Sequence, residues 1–146
     1  MTKIFADTNV ILDHALGRAF ANEAEKILTL SEQEKIICYI SSGTLYTLAY
    51  VLGKAIKDID VVREKLLLYL TLATPISNLP YNFEQAISDK AFNDIEDACQ
   101  YYTALHAGCD FFVTANLKDF KKGETGKLPV LNPGDFLLRF SSLDDK

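Results

Sequence analysis

Apolar residues along this chain come either in short unbroken runs or at helical spacing, and each switch between the two marks a new element. Residues 3–7, Lys3-Ile4-Phe5-Ala6-Asp7, form an apolar run that ends in a carboxylate and predict a buried first strand. Thr8 or Asn9 can cap the helix that follows, which carries Val10, Ile11, Leu12, Ala15 and Leu16 and stops at Gly17. Phe20, Ala24, Ile27 and Leu28 then repeat at i, i+4, i+7 and i+8, giving a second helix over about 19–30. Residues 35–40 are a second strand, and Ser41 or Ser42 caps a helix to about Ala55. Asp58 and Asp60 open a further long helix through Leu66 to Leu70, and a short strand follows near Thr74-Pro75-Ile76. Pro80 and Asn82 precede a helix over about 83–90, and Asn93 or Asp94 starts another that runs to about Ala107 and closes at Gly108. Residues 110–114 and 129–131 complete the strands, and Asn132-Pro133-Gly134 turns into a last helix containing Phe136, Leu137 and Phe140. A frayed tail over residues 141–146 leaves a single domain over 1–140.

Strands alternating with helices predict an α/β fold: a three-layer sandwich with a mainly parallel sheet of four to five strands and helices on both faces. Right-handed crossovers bring the ends of the first, second and fourth strands to one edge, so Asp7, Ser41 and Thr114 should be neighbours. Ligands of open α/β sheets bind at that edge. Three separated stretches place acids there: Asp7 after the first strand, Asp94 and Asp97 in the opening turn of a helix, and Asp119 after the fourth strand. Carboxylates gathered from distant parts of a chain repel one another unless a cation lies between them. Hard ions such as Mg²⁺ or Mn²⁺ prefer such oxygen ligands.

Composition narrows the chemistry. The chain has 146 residues, 49% hydrophobic and 24% charged, enough for one sizeable core. No apolar run approaches the ~20 residues that span a bilayer, and Met1-Thr2-Lys3-Ile4-Phe5 has no signal-peptide layout. The expected location is therefore the cytoplasm, with no membrane partner. Cys38, Cys99 and Cys109 are odd in number and lack a Cys-x-x-Cys pair, which argues against a disulfide framework or zinc. His14 and His106 are too few and too scattered for a zinc site, and His106 falls near the core face of its helix. A net charge of −5 does not advertise a phosphate-gripping surface; Lys118, Lys121, Lys122 and Lys127 are the densest basic cluster. No nucleophile elbow or P-loop is present.

Each acid also has a structural use. Asp7 could cap the first helix, Asp97 could favour the positive end of its own helix beside an Asn93 or Asp94 cap, and Asp119 could simply be solvated. On a helical wheel Asp94 and Asp97 share a face opposite Ile95, Ala98, Cys99 and Tyr102. Convergence of all three stretches on one sheet edge is what favours the metal reading.

The ordered set Asp7-Thr8-Asn9-Val10-Ile11-Leu12-Asp13, Asp94-Ile95-Glu96-Asp97-Ala98 and Val113-Thr114-Ala115-Asn116-Leu117-Lys118-Asp119-Phe120 resembles a PIN domain, with bacterial VapC-type toxin ribonucleases the closest kind. Residues 129–137 fit the last strand and helix of that family, so the resemblance covers essentially the whole chain. It implies a metal-dependent endoribonuclease acting on RNA, the toxin of a toxin–antitoxin pair, with an antitoxin protein as partner. By position, Asp7, Asp97 and Asp119 match the metal-binding, catalytic acids, Asp94 nearby is expected as a further metal ligand, and Asn9, Thr114 and Asn116 match supporting polar residues. The family often pairs, so a homodimer is expected, with Leu16 and Phe20 as exposed apolar candidates. Two positions depart from the pattern. Thr47 stands where family members usually carry a Glu, and Ala115 replaces a basic residue often found after the threonine. A neutral hydroxyl does not replace a carboxylate's charge, which leaves a second reading: a catalytically weak PIN-like module that binds RNA or a protein. A phosphatase or receiver-like domain ranks third, because Asn9 stands where a two-aspartate phosphatase wants its second acid.

Overall fold

The computed structural model describes residues 1–120 and 127–144, without the side chains of Asp119 and Asp144. Five strands form one sheet: β1 (Thr2–Ala6), β2 (Ile36–Ser41), β3 (Thr74–Ile76), β4 (Phe111–Val113) and β5 (Val130–Leu131). Their order is β3-β2-β1-β4-β5 and every pairing is parallel. β1 is central, in register with β2 through Ile4↔Cys38 and with β4 through Ala6↔Val113.

Among the described residues seven α-helices cover the sheet: α1 (Thr8–Leu16), α2 (Ala21–Glu32), α3 (Ser42–Ala55), α4 (Ile59–Leu72), α5 (Pro80–Ser88), α6 (Ile95–His106) and α7 (Pro133–Asp144). Side chains of successive strand residues point to opposite faces. Ile4 and Ala6 of β1, with Phe111 and Val113 of β4, pack against apolar residues of α1, α2, α3, α4 and α7. Phe5 and Phe112 face the other way, stacked at 5.4 Å, and meet Ala86 of α5 and Ala98, Tyr101 and Ala104 of α6. Each face thus has its own core, and the sandwich has three layers. None of the described helices is long and apolar enough to cross a membrane.

Local chemistry explains most boundaries. Ser41 caps α3 by accepting from the Gly43 amide, and Asp58 caps α4 by accepting from Asp60. Gly17 ends α1 with φ +66°, a conformation that favours glycine. Several expectations need correction. α5 begins at Pro80 rather than near residue 83, because proline fits the first turn, where no intrahelical N–H bond is lost. The expected tail 141–146 is helical through Asp144, as α7 packs Phe136 and Phe140 into the core, and residues 145–146 lie outside the described residues. His106 is exposed rather than core-facing; it bonds Gln85 and meets the Tyr81 ring edge-on. Ile95 is 55% exposed, since it is the first helical residue of α6 and points away from the sheet.

Candidate active site

The strand order fixes where a site can form. From β1 the chain crosses to β2 on one side, while β4 lies on the other, so the connections diverge at the β1/β4 boundary. A crevice opens at such a switch point beyond the carboxyl ends of the strands. Asp7 and Thr114 stand at that point, each one residue past its strand.

Asp7 is 2% exposed. Its backbone N–H donates to the Val113 carbonyl at 2.9 Å, and its side chain accepts from the Thr114 hydroxyl at 2.8 Å. Burial pushes the carboxyl up to about 6. The Thr114 hydroxyl, the Gln100 side chain and the Asn9 amide hold it down in part, and the negative charge of Glu96 raises it further. Asp7 occupies the N-cap position of α1, yet its side chain makes no capping hydrogen bond.

Around Asp7 the polar groups interlock. Asn9 accepts from the Ala115 amide at 3.1 Å and reaches the Thr114 hydroxyl at 3.4 Å, and the Asn116 amide donates to the same hydroxyl at 3.1 Å. On the other side, Gln100 accepts from the Thr8 amide at 3.2 Å, and the Thr8 and Thr44 hydroxyls share a bond of 2.7 Å. Three elements, α1, α3 and α6, are thereby tied to the end of the central strand. Ser41, expected beside Asp7 and Thr114, ends the adjacent strand and bonds Asn78.

The remaining acids enter from α6 and from the turn after β4. Asp94 is the N-cap of α6 and accepts from the Asp97 amide at 3.1 Å, while Asp97 is half-buried in the first turn. The Asp119 backbone closes a 3-10 turn over Leu117–Asp119; its side chain, and with it the expected meeting of Asp7, Asp97 and Asp119, lies outside the described residues, as do Lys121 and Lys122. Among the described residues no group of three or more His, Cys, Asp or Glu side chains could hold a metal.

Beside this network a cleft of about 570 Å³ opens between α3, α5 and α6. Thr8, Thr44, Thr47, Glu96 and Gln100 supply its polar lining, and Phe83, Ile87 and Ile95 an apolar rim. Thr47 is half-exposed, and its hydroxyl donates back to the Gly43 carbonyl at 3.3 Å. A second cavity, of about 360 Å³ between α2 and α7, has no acid in its lining and lies by Lys35, before β2, away from the strand ends.

Gln100, Thr8, Thr44 and Glu96 are site residues that the sequence reading did not single out. Gln100 follows Asp97 by three residues and Thr44 precedes Thr47 by three, so helical spacing carried the signal for both.

The profile of the PIN domain matches residues 3–118. Ribonuclease VapC1 of Aquifex aeolicus (strain VF5) is 26% identical over 147 aligned positions, covering 97% of each chain. Two solved structures are similar in fold. One is VapBC2 from Rickettsia felis bound to a DNA fragment from its promoter, with TM-score 0.69 and 19% identity over 90% of this chain and 98% of that one. The other is a toxin–antitoxin complex from Klebsiella pneumoniae, with TM-score 0.65 and 21% identity over 89% of this chain and 97% of that one. With the strand order, the buried Asp7 and this match over most of its length, the chain belongs to the PIN domain family.

Proposed function

We propose that the protein is a metal-dependent endoribonuclease that hydrolyses RNA phosphodiester bonds as the toxin of a toxin–antitoxin pair. The observation that carries this reading is Asp7: a carboxyl buried at the switch point of a PIN-domain sheet, held by Thr114 and pressed by the charge of Glu96. A buried carboxylate is costly unless a cation or hydrogen bonds offset its charge. The name of the Aquifex relative and the toxin–antitoxin character of both structural neighbours support the same conclusion.

The donors suit a hard cation, Mg²⁺ or Mn²⁺, because this edge offers carboxylate, amide and hydroxyl oxygens. Asp7, Asp97 and Asp119 would hold it. Once bound, such an ion lowers the pKa of a water and offsets charge on the phosphate oxygens. Thr114, Asn9 and Gln100 fix the Asp7 carboxyl before any ion arrives, so little reorganisation is left for binding. Asn116 lines the same end through its amide, and Asp94 sets where α6 begins and hence where Asp97 stands. RNA, an antitoxin protein and a second copy of the chain are the partners in this reading, and the cytoplasm is its location.

The second reading, a PIN-like module that binds RNA or protein but cuts weakly, draws on Thr47, which brings a back-bonded hydroxyl where the family usually has Glu. End-labelled RNA separates the two. With Mn²⁺ the purified protein should cut internally, EDTA should stop it, and Asp7→Asn should lower the rate by at least about a hundredfold, in line with losing a principal electrostatic group. RNA retention without cleavage would favour the binding module.

A further inference from the structure

We propose that the cleft beside Asp7 seats one unpaired base of the RNA, guanine by preference, and that Glu96 reads its edge. This rests on the ribonuclease reading above and adds a base specificity to it. The cleft continues from the end of β1: Thr8 follows Asp7 in the chain, and Gln100 bonds Thr8 and holds the Asp7 carboxyl. An RNA phosphate placed at Asp7 brings a base on either side of it, and a recess of about 570 Å³ adjoins that point. Ligand pockets commonly span roughly 300–1,000 Å³. Phe83, Ile87 and Ile95 form the rim and are between 44% and 62% exposed, apolar surface that a flat base can cover by stacking.

The polar lining has few protons left to give. The Ser41 hydroxyl donates to Asn78, the Asn78 amide donates to the Cys99 carbonyl and the Thr103 hydroxyl, and the Thr47 hydroxyl donates to the Gly43 carbonyl. What these side chains can still offer is oxygen lone pairs. Glu96, in the first turn of α6, adds an exposed carboxylate that has no hydrogen bond or ion pair among the described residues. Such a lining repels phosphate and takes a group that brings donors, so a nucleotide enters base first. Guanine presents N1–H and N2–H side by side, matching the two oxygens of a carboxylate in a bidentate, charge-assisted pair. Adenine and cytosine set one amino group beside a ring nitrogen that accepts, and uracil sets its N3–H between two carbonyls. Each of these three brings a lone pair against Glu96, and guanine brings none.

Cutting a pool of single-stranded RNA of random sequence with the intact protein and Mn²⁺, then sequencing the ends, tests this. Wild type should enrich guanine about tenfold at one fixed position beside the cut, the scale of one good bidentate contact. Glu96→Gln should erase that enrichment, because an amide has a single acceptor oxygen; a merely structural role would lower the rate and leave the base profile as it was. Phe83→Ala should raise KM by about fivefold or more with kcat little changed, as for the loss of one stacked base. Glu84→Gln, an exposed α5 acid outside the cleft lining, should keep the guanine enrichment. A melt of each variant checks folding. If wild type cuts without a preference for guanine, or Glu96→Gln keeps the preference, the base pocket is overturned while the ribonuclease reading stands, and the cleft is left to another ligand such as a basic protein segment. If wild type cuts no RNA, the ribonuclease reading fails and the base pocket with it.

Discussion

A carboxyl buried as deeply as Asp7 carries a cost that changes sign with its ligand. Its folded value is about 6 against 3.8 when free. Between those values the folded chain holds a proton that the unfolded chain has released. Stability contributed by this group is therefore present below about pH 4, falls as pH rises through about 6, and becomes a penalty on the order of 3 kcal/mol at neutral pH. Asp7→Asn keeps an oxygen for the Thr114 hydroxyl and removes the charge. In EDTA it should melt above wild type at pH 7.5, with the difference shrinking toward pH 5; an equal gap at both values would contradict the buried charge as its source. The sequence made Asp7 legible because a carboxylate stands directly after the buried apolar run Ile4-Phe5-Ala6 of the central strand. Gln100 and Glu96 were harder to see. Which side of α6 turns to the sheet depends on tertiary packing, and a wheel that set Ile95 opposite Asp94 misjudged the first turn.

Helix starts were the most readable elements, since Ser41, Asp58 and Asp94 each use a short side chain to satisfy an amide that would otherwise lack a partner. Strand lengths were less so: β4 covers Phe111–Val113 where residues 110–114 were expected, and β5 covers Val130–Leu131 where residues 129–131 were. The α6 cap yields a prediction that separates structure from metal binding. Asp94→Ala should cost about 1 kcal/mol in denaturant unfolding, whereas Asp94→Asn should cost only a few tenths. Both should leave Mn²⁺ affinity within about twofold, if the acid acts by setting the helix start and contributes charge only through solvent. A larger loss in Asp94→Asn would return it to the ligand set.

The mainly parallel sheet followed from the alternation of elements, but its strand order and the apolar surface did not. Leu16 and Phe20 were the expected pairing residues, yet Leu16 is only 36% exposed and Phe20 is half-buried against its neighbours. Larger exposed apolar side chains belong to α3 and α4, where Tyr46, Tyr50, Leu67 and Leu68 range from 52% to 81% exposed. Exposed apolar area on this scale commonly marks an interface. Light scattering at tens of micromolar, on the order used for such assays, should give twice the 16.3 kDa mass of the chain. A monomer would count against the homodimer.

Thermal melts across a Mn²⁺ series bear most directly on the shared cation. Binding to the folded state alone stabilises by about 2.7 kcal/mol at a hundredfold excess over Kd, which for a domain of this size is a rise of several degrees. Wild type should show that rise and EDTA should reverse it. Asp7→Asn and Asp119→Asn should each abolish most of it, as expected of carboxylates proposed to share one ion. A wild-type melt that Mn²⁺ leaves unmoved at millimolar concentration, or an undiminished rise in Asp7→Asn, would contradict a cation held at the end of β1.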